Sequence, residues 1–209
     1  MLVDMHIHES TCSSDSKMLL REIVETARER GLDAVCITDH DSMGLKEFAE
    51  AYSEETGFPI FVGVEYYSLW GDITAFGIDR LPEQRISGQE FVDQVNEAGG
   101  FCIACHPFRN NNRGFEEHLW DIRGLHGVEV LNGSTDMEAN KKALEICRAR
   151  GMQAVGASDA HWTGQLGKYA TMLPGSPRNL EEFVAALHKG GLRPAVYEEG
   201  RGYQIVDAF

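Results

Sequence analysis

The sequence predicts an α/β fold built around a parallel sheet. Three observations carry that expectation. Short apolar runs alternate with stretches whose apolar residues recur at helical spacing, about seven times along 209 residues. The connections are short, with no linker, repeat or low-complexity segment, so 1–209 reads as one domain. Each apolar run ends in a polar cluster: His6/His8, His40, Glu65, His106, Glu129/Asn132 and Asp159/His161. In parallel α/β folds the site lies at the carboxyl ends of the strands. A barrel gathers all of these ends; a doubly wound sheet spreads the outermost ones apart.

The first strand, over 4–8, organises the rest. Period-two alternation places Asp4, His6 and His8 on one face and Val3, Met5 and Ile7 on the other. The polar loop 9–17 follows, with Asp15 or Ser16 as candidate cap for a helix carrying Leu19, Leu20, Ile23, Val24 and Ala27, stopped by Gly31. A strand over 34–37 leads into Thr38-Asp39-His40-Asp41, then a helix over 45–55. A third strand spans 60–65 and a fourth 73–78. A helix over 89–98 precedes a strand over 101–105, which runs into His106-Pro107 and the polar loop 108–114. A weak helix over 116–122, a strand over 127–132, a helix over 138–149 and a strand over 154–157 follow. One more strand over 169–173, a helix over 180–187 and a mixed tail from Pro194 complete the chain.

Composition excludes several classes. Hydrophobic residues make up 43%, enough for a sizeable core. The formal charge of −14 disfavours long nucleic acids, whose binding rests on Lys and Arg meeting phosphates. There is no membrane-spanning apolar run and no signal-peptide pattern, and five irregularly spaced cysteines do not form a disulfide framework. Together these features point to the cytoplasm as the expected location.

His6, His8, His40, His106 and His161 are five of the eight histidines, and all five fall at strand ends. His118, His126 and His188 do not, and read as surface or packing residues. So many ligands facing one cavity, joined by Glu65 and Asp159, repel one another unless they hold metal. Imidazole and carboxylate without thiolate suit Zn, Mn or Fe. The set exceeds what one ion uses, so two or three divalent ions are expected, with Glu65 bridging. Cys102-x-x-Cys105-His106 matches the pattern of c-type haem attachment. It falls within a strand, where positions three apart face opposite ways, so these cysteines read as core residues. No P-loop, dinucleotide fingerprint or nucleophile elbow is present.

Asp4-x-His6-x-His8, Thr38-Asp39-His40-Asp41, Gly63-Val64-Glu65, His106-Pro107 and Ser158-Asp159-Ala160-His161, in that order, resemble the PHP (polymerase and histidinol phosphatase) superfamily over nearly the whole chain. The resemblance implies a distorted (β/α)7 barrel, a trinuclear metal centre and phosphoester hydrolysis. It implies that His6, His8, Glu65 and Asp159 hold one ion. Glu65 is then shared with His106 and Asp15 at a second, and His40 and His161 hold a third. Where the family often carries Gly-His, this chain has Gly71-Asp72, and Asp72 is the candidate replacement ligand. Glu129 and Asn132 are alternative further ligands.

The expected activity is hydrolysis of small phosphate esters: sugar phosphate, histidinol phosphate, nucleotide or short oligonucleotide. Paired cations lower the pKa of a water, giving hydroxide at neutral pH. Glu65, Asp159 and His161 are assigned to the reaction itself. Arg109, three residues after His106, is placed to grip a phosphate bidentately, and Lys168 is a weaker candidate of the same kind. Asp39 and Asp41 are read as groups that orient His40. Two rival classes are a C–N hydrolase of amidohydrolase type, which usually carries a strand-end Lys not found here, and a non-catalytic metal-binding regulatory domain. The particular ester and the oligomeric state stay open.

Overall fold

The computed structural model describes residues 1–206. In chain order its elements are β1 (Leu2–Ile7), α1 (Leu20–Glu29), β2 (Ala34–Ile37), α2 (Lys46–Thr56), β3 (Ile60–Val62), β4 (Val64–Ser68), β5 (Gly71–Phe76), α3 (Gly88–Glu97), β6 (Phe101–Ala104), α4 (His118–Asp121), β7 (Gly127–Asn132), α5 (Met137–Arg150), β8 (Gln153–Ala157), β9 (Tyr169–Met172), α6 (Leu180–Lys189), β10 (Arg193–Glu198) and β11 (Gly202–Ile205). The alternation expected from the sequence is present, and local chemistry explains its edges. Leu20, Ile23, Val24 and Ala27 form the buried stripe of α1. Its start is not capped by Asp15 or Ser16. Glu22 instead accepts the Leu19 N–H at 2.8 Å, while the Ser16 hydroxyl donates to the His8 carbonyl. Leu19, expected on the apolar stripe, is half exposed. Ser87 and Glu90 close a reciprocal capping box on α3, and Asp136 caps α5.

The strands form two sheets, with mixed rather than uniformly parallel pairing. One has the order β11-β10-β9-β1-β2-β3, and the other β4-β5-β6-β7-β8. β1, β2 and β3 are parallel, as are β6, β7 and β8. β4, β5 and β6 pair antiparallel, and so do β1, β9, β10 and β11. The expected third strand is in fact two: it breaks at Gly63 and passes from one sheet to the other. A Cβ at Gly63 would stand 2.5 Å from the Ala75 carbonyl and from the Phe76 ring, so only glycine allows the crossing. The mixed tail is a hairpin of β10 and β11.

Among the described residues no closed barrel is detected in the strand ladders; the sheets meet along two seams. Isolated bridges join Ile7, at the end of β1, to Ala160, just after β8, and His40, just after β2, to Glu65, near the start of β4. Between the sheets, Val3, Met5, Phe61, Phe101, Ile103 and Val155 form one apolar cluster. Phe183 of α6 stacks on Phe61 at 4.1 Å and meets Phe76 edge-on, closing the end away from the seams.

Candidate metal centre

The site begins at a fault in β1. Its register against β2 shifts between Asp4 and Ile7. Val3 and Met5 belong to the cluster between the sheets, whereas Ile7 packs with α1. Simple alternation therefore fails, and Asp4 leaves the expected His face. Its carboxylate accepts the N–H of Ser158 at 2.9 Å and of Gly167 at 2.8 Å, and burial pushes its pKa up to about 6. A second shift, in β7 between Glu129 and Leu131, lets Glu129 and Asn132 meet the same site although they are three residues apart. His106 and Asp159 sit in the left-handed backbone region at φ 28° and 51°, a cost that non-glycine residues bear mainly where function over-determines them.

Glu65 is at the middle of the arrangement and is buried. Its Oε1 accepts from His106 Nε2 at 2.9 Å and lies 3.5 Å from His6 Nε2. Its Oε2 lies 2.6 Å from His40 Nδ1 and 3.6 Å from His8 Nε2. Asp159 Oδ1 lies 3.3 Å from His8 Nε2 and 3.6 Å from His6 Nε2. His6 and His8 point their Nε2 atoms at each other across 3.1 Å. Toward the mouth, Asp15 Oδ2 stands 3.1 Å from His40 Nε2 and 3.4 Å from His161 Nε2. Asp15 is 55% exposed, whereas His6, His8, Glu65, Asp72, His106 and Asp159 are buried, so the site is a pit with one open end.

The electrostatics follow from that crowding. Burial opposes the charge on Glu65 and Asp159, yet His6 and neighbouring imidazoles hold both well below the usual carboxylate range. Burial pushes His8 down to about 4. Burial opposes protonation of His6 too, but the carboxylates of Glu129, Asp159 and Glu65 outweigh it and raise that group well above its ordinary value. Burial and the Glu65 charge push Asp72 up to about 7, against His106 and Arg113.

Of the residues expected at the site, His6, His8, His40, Glu65, Asp72, His106, Asp159 and His161 converge, with Asp15 at the rim. Arg109 reaches in: it pairs with Asp159 and donates to Asn132 Oδ1 at 2.8 Å. Lys168 stays outside, exposed, donating to the Gly133 carbonyl at 2.9 Å. Asp39 and Asp41 do not bond the His40 ring. Asp39 accepts from Ser13 Oγ and the Glu9 N–H, and Asp41 accepts the Tyr67 N–H. Glu129 backs the pit: Oε1 faces His6 Nδ1 at 2.7 Å and Oε2 accepts the His106 N–H at 2.9 Å. Sequence reasoning missed Arg113, whose guanidinium donates to both oxygens of Asp72 at 2.6 and 3.0 Å. Its one signal was its place on the polar loop, four residues after Arg109. Cys102 and Cys105 are unpaired and buried.

These donors fit divalent transition ions. Their ligating atoms fall into groups lying within 4.8 Å of one another: His6/His8/Asp159, His8/His40/His161, Glu65/Asp72/His106 and His6/Glu65/Cys105. Glu65 Oε2 and His40 Nδ1 are buried without an aligned hydrogen bond, as is His106 Nδ1. Because His6 turns Nδ1 toward Glu129, its Nε2 is the nitrogen that faces the pit.

Comparison with known proteins agrees with this geometry. Residues 4–119 match the PHP domain, and residues 137–192 match a PHP-associated segment. The chain is 25% identical over 151 residues to a phosphoribosyl 1,2-cyclic phosphate 1,2-diphosphodiesterase of Eggerthella lenta, covering 71% of this chain and 49% of that protein. Its fold resembles a two-domain protein of Bacteroides vulgatus containing a predicted PHP-like metal-dependent phosphoesterase (TM-score 0.71, 22% identity, 93% of this chain and 64% of that one). It also resembles the lesion-specific endonuclease EndoQ of Pyrococcus furiosus (TM-score 0.68, 17% identity, 91% and 56%). The chain thus spans about half to two thirds of the length of these three proteins.

Proposed function

The chain belongs to the PHP domain family, and on that premise we propose that it is a metal-dependent hydrolase of small phosphate esters. The observation that carries the reading is Glu65: one buried carboxylate within 3.6 Å of four imidazoles contributed by both sheets. On this reading residues 1–209 are one metallohydrolase domain of the cytoplasm, consistent with five unpaired cysteines. The abutting sheets are then the family's distorted (β/α)7 barrel, split at Gly63.

Two or three ions of Zn, Mn or Fe would be held by His6, His8, Glu65, His106 and Asp159 in the depth and by His40, His161 and Asp15 at the mouth. Such ions make a water acidic enough to ionise near neutral pH and offset phosphate charge. The chain's own groups do the rest. Glu129 orients His6, and Arg109 holds the phosphate by two N–H groups once it lets go of Asp159. His161, whose Nε2 lies 3.4 Å from Asp15 Oδ2 at the open end, would help hold the ion nearest the leaving oxygen. The similarity to a cyclic phosphodiesterase supports a small ester. The charge of −14 weighs against a long duplex.

The test is a panel of phosphomonoesters, cyclic phosphodiesters and short oligonucleotides, assayed with protein reloaded with Mn, Zn or Fe and again after chelation. Chelator-sensitive hydrolysis of a small ester is expected, and Glu65→Gln should lower it by orders of magnitude with the circular dichroism unchanged. Turnover that survives both chelation and Glu65→Gln would refute the reading.

A further inference from the structure

In the Glu65/Asp72/His106 corner of the pit a guanidinium holds both oxygens of the aspartate, whereas Arg109 holds only Oδ2 of Asp159 and leaves Oδ1 facing His6 and His8. Arg113 donates Nε–H to Asp72 Oδ2 at 2.6 Å and Nη2–H to Asp72 Oδ1 at 3.0 Å, and its Nη2 lies 3.9 Å from Glu65 Oε2. Asp72 itself is buried and lies 3.6 Å from His106 Nε2. The side chain is not a surface arm that has folded inward. Its main chain is tied to the same residue: the Asp72 N–H donates to the Arg113 carbonyl at 2.9 Å. The two segments touch because both carry glycine at the contact. A Cβ at Gly71, which has φ 135°, would stand 2.7 to 2.9 Å from Gly114, Phe115 and the Arg113 carbonyl. A Cβ at Gly114 would stand 2.4 Å from the Pro107 carbonyl. The guanidinium is further held over the Tyr67 ring at 4.5 Å. Backbone, salt bridge and aromatic face therefore hold one positive charge where a divalent ion using Asp72 would sit.

Resting on the metallohydrolase reading, we infer that Arg113 takes the place of one metal ion, so that Asp72 anchors a guanidinium and the centre holds two ions and not three. Like charges at this separation repel strongly where burial lowers the effective dielectric constant. The bidentate contact also uses both Asp72 oxygens. Three groups remain: His6/His8/Asp159 and His8/His40/His161 share His8, and His6/Glu65/Cys105 overlaps the first at His6, so it does not form a separate site. Asp72 then keeps its carboxylate for structure, and Arg113 keeps a fixed positive charge beside Glu65 that no chelator removes.

The experiment counts metal. Chelated protein is reloaded with excess Mn, desalted and analysed by elemental analysis, with affinities from calorimetry. The wild type should hold two ions per chain. Arg113→Gln should gain a third, or bind its last ion at least about tenfold more tightly, and adding Asp72→Asn should remove that gain. Asp72→Asn alone should leave the count at two, which gives a second readout if Arg113→Gln fails to fold. Three tightly held ions in the wild type, an Arg113→Gln count still at two, or a loss of one ion in Asp72→Asn would each overturn the inference. A content below one ion per chain is a different failure, because it removes the metallohydrolase reading as well.

Discussion

Glu129 Oε1 lies 2.7 Å from His6 Nδ1, and this contact decides which nitrogen of His6 faces the pit. The carboxylate accepts on both oxygens, since Oε2 takes the His106 N–H and the Asn132 amide. Glutamine can accept on only one. Glu129→Gln should therefore weaken metal binding by roughly 10- to 100-fold, the usual scale for a group that orients a ligand. Calorimetric titration of Mn into chelated protein measures it, and an unchanged affinity would show that His6 needs no such support.

Arg109→Ala tests substrate grip. Arg109 pairs with Asp159 and donates to Asn132 and Thr135, so it stands over the pit without being a ligand. Its loss should lower kcat/KM by at least about tenfold, the scale of one charge-assisted hydrogen bond, with metal content unchanged. A rise in KM alone would mean that the contact is equal in ground and transition states. Unaltered kinetics would return Arg109 to the solvent.

The histidines outside the pit predict a pH effect on stability. Burial lowers His126 to about 4, with the nearby His188 adding to the effect; the rings are 4.9 Å apart. The folded state therefore resists protonation more than the unfolded chain, whose histidine titrates near 6.5. The contribution to stability is present above about 6.5 and is lost as pH falls toward about 4. His126→Asn keeps an acceptor for the Cys102 N–H and removes the titration. Between pH 7 and 5 its melting temperature should fall less than that of the wild type. Parallel curves for the two proteins would count against this assignment.

Gly63→Ala addresses the crossing between sheets. The new methyl would meet the Ala75 carbonyl and Phe76 at about 2.5 Å. Overpacking of that kind costs about 1–3 kcal/mol. In a chain of this size each kcal/mol lowers the melting temperature by roughly 2–4 °C. Thermal denaturation checks it, and a melting point equal to the wild type would mean that the seam can yield.

The legible part of this protein was its punctuation. Histidines at the ends of apolar runs, as at His6, His40 and His106, are conspicuous because burial there needs a partner. The bounds of β7 and of α6's start could be read from apolar runs and turn residues. Strand direction could not. Periodicity looks the same in parallel and antiparallel pairs, so the reversal at β4 and β5 left no trace. Nor do bulges have a composition. The shift in β1 moved Asp4 to Ser158 and Gly167, and nothing in Asp4-x-His6-x-His8 distinguishes that outcome. Arg113 was hidden for another reason: its partner Asp72 is 41 residues away and meets it only through a close backbone approach at Gly71 and Gly114.

The two seams have a mechanical consequence. Ladder bonding nearly lapses where Ile7 meets Ala160 and His40 meets Glu65. The candidate ligands stand on opposite banks of those joints, with His6, His8 and His40 on one sheet and Glu65, His106 and Asp159 on the other. On the metallohydrolase reading, an ion gripped from both banks would work as a clasp, and a starved chain would be a book with its cover unfastened. A ligand at a hundred times its dissociation constant adds about 2.7 kcal/mol to a folded state that alone can bind it. That is enough to change how often the leaves part and how fast proteases find them. Metal supply would then govern the lifetime of this protein as directly as it governs its chemistry.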